Sequence, residues 1–376
     1  MKIGILTFHY TSNQGSVLQA YCTFNLIKKY FPDADVEIIN LIPATREFYE
    51  IIFLKREFPL INISKFRKYK QLRKFVANNL KLSSFSYSDS LKNQIDFINN
   101  LNYDYIITGS DTVWFHSKKL KDRIPSIYFL PKQIKAKKIA FAASVDPLNA
   151  PQVYYKNKKE LKEIFDSFLS ITNRDSTTFN LLNELDVKDH TLITDPTLIY
   201  NFEEQLKFEK VKEEKLSDQK RIGIGIADRA LSKYLIDYLK KTGFENIHNF
   251  FDSQKRQYDY VYDELNKYSK LDILITDRFH RTIFSLKLSN ALTIYIENPR
   301  FNVTNNSKGR DLLKRIGLEK YVITYANDHY IELEVKIKTL LENWTVDALK
   351  ERNVLLSQFI EKNRKIFNTN IIDKIV

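Results

Sequence analysis

One pattern recurs along this chain and leaves few folds open to it: a short apolar run, a polar turn, then apolar residues at helical spacing. It is clearest at residues 272–288. Residues 272–275 are short and rich in Ile and Leu, as a buried strand is, while Thr282, Ile283, Phe284, Leu286 and Leu288 fall at helical spacing. Residues 2–8 with 17–30, 169–172 with 176–185, and 221–227 with 230–241 repeat the pattern. Strands alternating with helices build parallel sheets covered on both faces. A chain of 376 residues also exceeds the size at which one core stops growing. Two runs of the alternation therefore imply an α/β protein of two doubly wound, Rossmann-like domains facing a cleft. The expected boundaries are 1–200 for the first domain, 201–220 for a charged linker and 221–345 for the second. A C-terminal helix in 346–376 is expected to pack back on the first domain.

Further strands are expected at 36–41, within 103–115 with its end at Gly109-Ser110-Asp111, and at 138–144, 191–194, 246–250 and 291–296, and helices at 90–101, 258–267, 309–316, 328–342 and 346–367. Gly317 is the expected C-terminal stop of the helix 309–316. Residues 46–81 break the pattern, with ten Lys or Arg against three Glu, a net of +7, interleaved with Phe48, Tyr49, Phe53, Phe58, Phe66, Tyr69 and Phe75. They read as amphipathic helices, part of a basic, aromatic helical segment 46–101. Such a segment is also able to rest on an anionic membrane surface.

Composition narrows the function classes. The net charge of +13 favours acidic partners, yet no motif for reading nucleic acid accompanies it, so no nucleic-acid partner is expected. No apolar run approaches the roughly 20 residues of a membrane span. Met1 leads directly into a strand-like run, so a cytoplasmic location is expected, with peripheral contact at the inner face of the cell membrane as an option. The single cysteine, Cys22, excludes an intramolecular disulfide and reads as a core residue. Six scattered histidines form no local ligand set, and no metal is expected.

The polar turns carry the chemistry. A strand end feeding a helix N-terminus favours an anion, because unpaired N–H groups and the helix dipole both point there. Asp277, Arg278, His280 and Arg281 fill such a turn. Arg174 sits at another. Asn13 and Gly15 precede the first helix, where glycine suits either a positive φ or a close ligand approach. Gly109, Ser110 and Asp111 close a strand, with Ser110 able to cap the next stretch of chain. Asp195-Pro196-Thr197 reads as turn chemistry.

These turns, taken in order, resemble the motifs of the polysaccharide pyruvyl transferase family. The opening KIGILTFHYTSNQGSVLQAYC matches at Asn13, Gly15 and Gln19. Gly109-Ser110-Asp111 with Trp114, Arg174 with Asp175, Asp195-Pro196-Thr197, and Asp277-Arg278-Phe279-His280 match in sequence order. Arg281 departs from the pattern, standing where many relatives carry Gly. The family is similar in fold to the GT-B glycosyltransferases. The resemblance implies transfer of pyruvate from phosphoenolpyruvate to saccharide hydroxyls as a ketal, with phosphoenolpyruvate as co-substrate and no cofactor. The acceptor would be a cell-surface glycan or its precursor, lipid-linked or polymeric. Donor binding would fall to Arg278, Arg174 and Arg281, catalysis to His280 and Asp111, and acceptor binding to Asn13, Gly15 and Ser110. Two other readings fit the same residues: a glycosyltransferase with a nucleotide-sugar donor, and a non-catalytic protein that binds glycans or membrane surfaces.

Overall fold

The structure is a computed structural model describing residues 1–55, 58–61, 63–116, 124–145, 152–206, 220–251, 260–297, 307–325 and 330–375. The chain forms two compact units, Met1–Tyr200 with Asn363–Val376, and Asn201–Lys362. Most of the expected linker (207–219) and of the expected loop after residue 297 (298–306) lie outside the described residues.

In the first unit the order is β1 (Lys2–Leu6), α1 (Gln14–Tyr30), β2 (Asp35–Ile38), β3 (Leu41–Ile42), α2 (Ala44–Ile51), β4 (Ile52–Lys55), β5 (Phe58–Ile61), α3 (Ile63–Asn79), β6 (Ser86–Tyr87), α4 (Leu91–Asn100), β7 (Tyr105–Thr108), β8 (Lys137–Ala143), α5 (Gln152–Lys156), α6 (Lys158–Phe165), β9 (Phe168–Asn173), α7 (Ser176–Glu184), β10 (His190–Leu192) and α8 (Pro196–Ile199). Six strands form one parallel sheet in the order β10-β9-β8-β7-β1-β2. The chain leaves β1 for β2 on one side and returns to β7 on the other, so the winding reverses between β1 and β7. Beneath the sheet, Trp114 packs edge-on against Phe165 at 4.9 Å and donates its indole N–H to the Tyr128 carbonyl at 3.2 Å. The tryptophan of the Gly-Ser-Asp-x-x-Trp motif is thus a core residue.

The second unit contains α9 (Phe202–Gln205), β11 (Ile222–Gly225), α10 (Arg229–Lys241), β12 (Ile247–Asn249), α11 (Tyr260–Ser269), β13 (Ile273–Thr276), α12 (Phe279–Leu288), β14 (Leu292–Glu297), α13 (Lys308–Ile316), β15 (Val322–Thr324) and α14 (Tyr330–Glu342). Its five parallel strands run β12-β11-β13-β14-β15, and the winding reverses between β11 and β13. β13 and β14 are buried throughout, as strands covered on both faces must be. Gly317 ends α13 in the left-handed region at φ 92°. A final helix, α15 (Val346–Asn370), belongs to the second unit up to Lys362 and to the first from Asn363.

Two expectations change. The segment 46–81 is not helix throughout: β4 and β5 form an antiparallel hairpin between α2 and α3, because two apolar runs flank the polar Lys55-Arg56-Glu57. The run 36–41 divides into β2 and β3, and β3 pairs with β6 rather than with the main sheet. The strand expected to close at Gly109-Ser110-Asp111, by contrast, does so: β7 stops at Thr108 and Gly109 turns the chain at φ 108°. Among the described residues no helix is long and apolar enough to cross a membrane.

Candidate active site

In doubly wound sheets a ligand crevice opens at the carboxyl ends of the strands, where the winding reverses. Each unit places its motif residues at those carboxyl ends, with Asp111 and the Asp277–Arg281 turn beside the reversals.

In the first unit, Gly109 follows β7. A Cβ there would lie 2.2 Å from the Phe141 carbonyl oxygen, so the backbone passes β8 more closely than any side chain allows. Asp111, at φ 86°, bridges to Ala143, and its carbonyl accepts the Ser144 N–H at 3.0 Å. The Asp111 carboxylate accepts the Thr112 N–H at 2.7 Å and lies 3.7 Å from Arg174. Arg174, at the end of β9, is 3% exposed at its side chain and pairs with Asp195 at 2.9 Å. Burial alone would lower the guanidinium pKa, but the carboxylates of Asp195, Asp111 and Asp175 outweigh it and hold the pKa above its ordinary value. Asp195 in turn caps α8, accepts the Thr197 N–H at 3.0 Å, and takes a hydrogen bond from the Gln19 amide on α1. Four motif positions (Gln19, Asp111, Arg174 and Asp195) thus form one buried ionic cluster. Its members are 176 residues apart at the extreme.

The neighbours of this cluster behave less uniformly. Ser110 caps nothing: its carbonyl accepts the Thr7 hydroxyl at 3.1 Å across the β1–β7 reversal, and its buried Oγ has no hydrogen-bond partner among the described residues. Asn13 is exposed and is the N-cap of α1, accepting the Gly15 N–H at 3.0 Å. Gly15 lies in the first turn of α1 and is not at positive φ, so backbone conformation does not require a glycine there.

In the second unit the reversal lies between β11 and β13, and the Asp277–Arg281 turn follows β13. The Thr276 hydroxyl donates to the Gly225 carbonyl at 2.9 Å and accepts the Arg278 N–H at 3.1 Å. The Asp277 carboxylate accepts the Ala227 N–H at 3.0 Å, tying the two strand ends together. Burial raises the Asp277 pKa despite that bond and the charges of Arg278 and Arg281. Gly225 is required by packing, since a Cβ there would meet Arg281 Cδ at 2.8 Å.

Arg278 is the N-cap of α12 and makes no side-chain cap, so its side chain does not occupy the first-turn N–H groups. Its guanidinium is 52% exposed, with Nε 3.3 Å from Asp277. Arg281 differs. Only 14% exposed, it stacks over both Phe250 and Phe251 at 4.6 Å and lies 3.9 Å from Glu264. The half-buried His280 ring packs against Phe279 at 5.1 Å and Phe284 at 6.1 Å.

The three expected donor arginines therefore do not share one circumstance. Arg278 presents a half-exposed cation beside the Asp277 carboxylate, 5.8 Å from the Phe251 ring. Arg174 belongs to the other unit and is engaged by two carboxylates, and Arg281 is engaged by aromatic rings. Reading the sequence placed Asp277 in this turn but missed Thr276, Phe250 and Phe251 beside it. It also missed Arg352 on α15, a buried residue whose guanidinium donates to the Leu286 and Ser289 carbonyls at 2.6 and 3.1 Å and caps the far end of α12. Of these only Thr276 carried a local signal, its place at the strand end.

Structural likeness extends over the whole chain. Anabaena Alr3699/HepE in complex with UDP aligns over 98% of this chain and 99% of its own, at 10% identity and a TM-score of 0.51. The same protein with UDP and glucose aligns over the same shares at 11% identity and a TM-score of 0.50. The lipopolysaccharide outer core galactosyltransferase WaaB covers both chains fully at 11% identity and a TM-score of 0.49. At such identities the two HepE alignments establish the fold alone, that of the GT-B glycosyltransferases. No curated protein matches by sequence. The sequence model of one family does, over residues 13–289, a span that takes in Asn13, the Ser110-Asp111 turn, Arg174 and the Arg278–Arg281 turn. This chain belongs to the polysaccharide pyruvyl transferase family.

Proposed function

We propose that this transferase moves the pyruvyl group of phosphoenolpyruvate onto two hydroxyls of a saccharide, releasing phosphate and leaving a cyclic ketal. The observation that carries the donor assignment is the β13–α12 turn, where an exposed Arg278 and a half-buried His280 flank a helix N-terminus that Arg278 leaves without a side-chain cap, at the winding reversal of its sheet. Two small anionic groups suit that turn. Arg278 offers a planar fork for phosphate or carboxylate, and the helix N–H groups offer a second set of donors.

In this reading the methylene carbon of phosphoenolpyruvate takes a proton, which leaves an oxocarbenium-like centre at the carbon bearing carboxylate and phosphate. One sugar hydroxyl adds there and loses its proton. The carbon–oxygen bond to phosphate then breaks, and a second hydroxyl closes the ketal, losing its own proton. His280 supplies the first proton or holds the phosphate. Asp111, fixed by Arg174 and the Ala143 bridge, orients an acceptor hydroxyl beside the Ser110 Oγ. Arg281 supports Arg278 from its aromatic seat rather than binding the donor directly.

Thermal unfolding tests the donor. Phosphoenolpyruvate at about 100 times its dissociation constant adds about 2.7 kcal/mol to the folded state, a rise of a couple of degrees for a chain of this length. Uridine and cytidine diphosphates should give no shift. A shift with a nucleoside diphosphate and none with phosphoenolpyruvate would instead establish a nucleotide-sugar donor.

A further inference from the structure

We propose that the first unit docks on an anionic lipid surface through the β4–β5 hairpin and the helix α3 that comes after it. The hairpin pairs only with itself among the described residues. A two-stranded ribbon has two open edges and is marginal in water. Its register sets Ile52 against Ile61, Phe53 against Leu60, and Leu54 against Pro59, so apolar residues occupy both alternating sets of positions. A hairpin built for water would reserve one set for polar residues.

The adjoining α3 carries six Lys or Arg and no Asp or Glu. Tyr69, Leu72, Phe75 and Val76 are buried against the unit, and Arg67, Lys70 and Lys74 lie exposed at helical spacing on the other side. Ile63, 63% exposed, begins that exposed stripe directly after the hairpin. An apolar element thus adjoins a cationic one on consecutive stretches of chain, the arrangement that an interfacial anchor requires. A soluble polyanion offers nothing to the apolar runs that adjoin these cations in sequence, whereas a lipid surface engages both. Each strand of four residues spans about 13 Å, far short of the roughly 30 Å hydrocarbon core, so the hairpin sits in the interface without crossing it.

The test is co-sedimentation of the full chain with vesicles of phosphatidylcholine alone or with about one third phosphatidylglycerol, at about 50 and about 500 mM salt. Binding should need the anionic lipid and weaken with salt, leaving a remainder at high salt from hairpin insertion. The variant Arg67→Gln/Lys70→Gln/Lys74→Gln changes exposed side chains, so it should keep the wild-type melting midpoint, and its partitioning should fall about a hundred-fold. The variant Phe53→Ser/Leu60→Ser should lose the high-salt remainder and keep the salt-sensitive part. If that second variant does not fold, the first decides alone. Equal binding to both kinds of vesicle, binding to neither, or a triple variant that partitions like wild type overturns the proposal. So does capture of inorganic polyphosphate by these three cations without any vesicle binding.

Discussion

Arg174 and Arg278 carry the same charge in opposite circumstances, and their substitutions should fail in opposite ways. Arg278→Lys exchanges a fork for a point charge at an open turn. It should lower kcat/KM by about 30- to 150-fold, roughly 2–3 kcal/mol, with the melting midpoint unchanged. Arg174→Met strands the buried Asp195 and Asp111 carboxylates and should cost about 3–5 kcal/mol of stability in denaturant titration. A stable Arg174→Met protein that has lost only donor affinity would return Arg174 to the donor site. The sequence placed both arginines at strand ends, but their difference was not legible, since it rests on Asp195, 21 residues from Arg174, and on Asp111 from another strand. His9 was equally silent. It is fully buried between the Thr7 carbonyl and the Asn40 side chain, and burial pushes its pKa down to about 4. The unfolded chain binds a proton from about pH 6.5 downward while the folded chain does not. Stability is therefore whole above about pH 6.5 and lost as the pH falls toward 4, by about 3 kcal/mol. His9→Gln should flatten that part of the stability–pH curve, and an unchanged slope would assign it to other groups.

At the scale of elements, legibility depends on how local the signal is. α1, α7, α10 and α13 fall within a few residues of their expected ranges, because each has its own apolar period, and Asp175, Asp228 and Ser307 cap α7, α10 and α13. The β4–β5 hairpin was missed because its short apolar runs fit a helix as well as a strand until the pairing register is known. The turn after β7 lies between these cases. Gly109 announced a bend, but only the structure supplies the reason, the Phe141 carbonyl against which a side chain would press. Gly109→Ala combines that contact with a φ of 108° that alanine rarely adopts. It should cost upward of about 2 kcal/mol and displace Asp111, so that activity falls further than the loss of folded protein explains. An active Gly109→Ala protein of ordinary stability would mean that the turn relaxes freely and does not hold Asp111.

At the scale of the molecule, chain order and unit membership part company at the C-terminus. Residues 363–375 are distant in sequence from the first unit yet complete its core. Phe367 packs against Phe141 at 4.9 Å and Tyr30 at 5.7 Å, and Ile371 and Ile375 are buried. The Asn363 side chain accepts the Thr194 N–H at 2.7 Å, and Arg364 donates to the Ile199 carbonyl at 3.2 Å. Three buried apolar side chains contribute about 1.5–3 kcal/mol each and the hydrogen bonds about 1 kcal/mol each, a sum comparable to the 5–15 kcal/mol that usually holds a domain folded. Ending the chain after Lys362 should therefore unfold or loosen the first unit. The second unit keeps Arg352 and its cap on α12, both of which precede the cut. Amide hydrogen exchange followed by peptide reads the two units separately: β8, β10 and the Asp195 turn should lose protection, while β13 and α12 retain it. Protection lost equally in both units would mean that they unfold as one cooperative body. Protection retained in β8 and β10 would mean that the terminal segment only covers a core already complete without it.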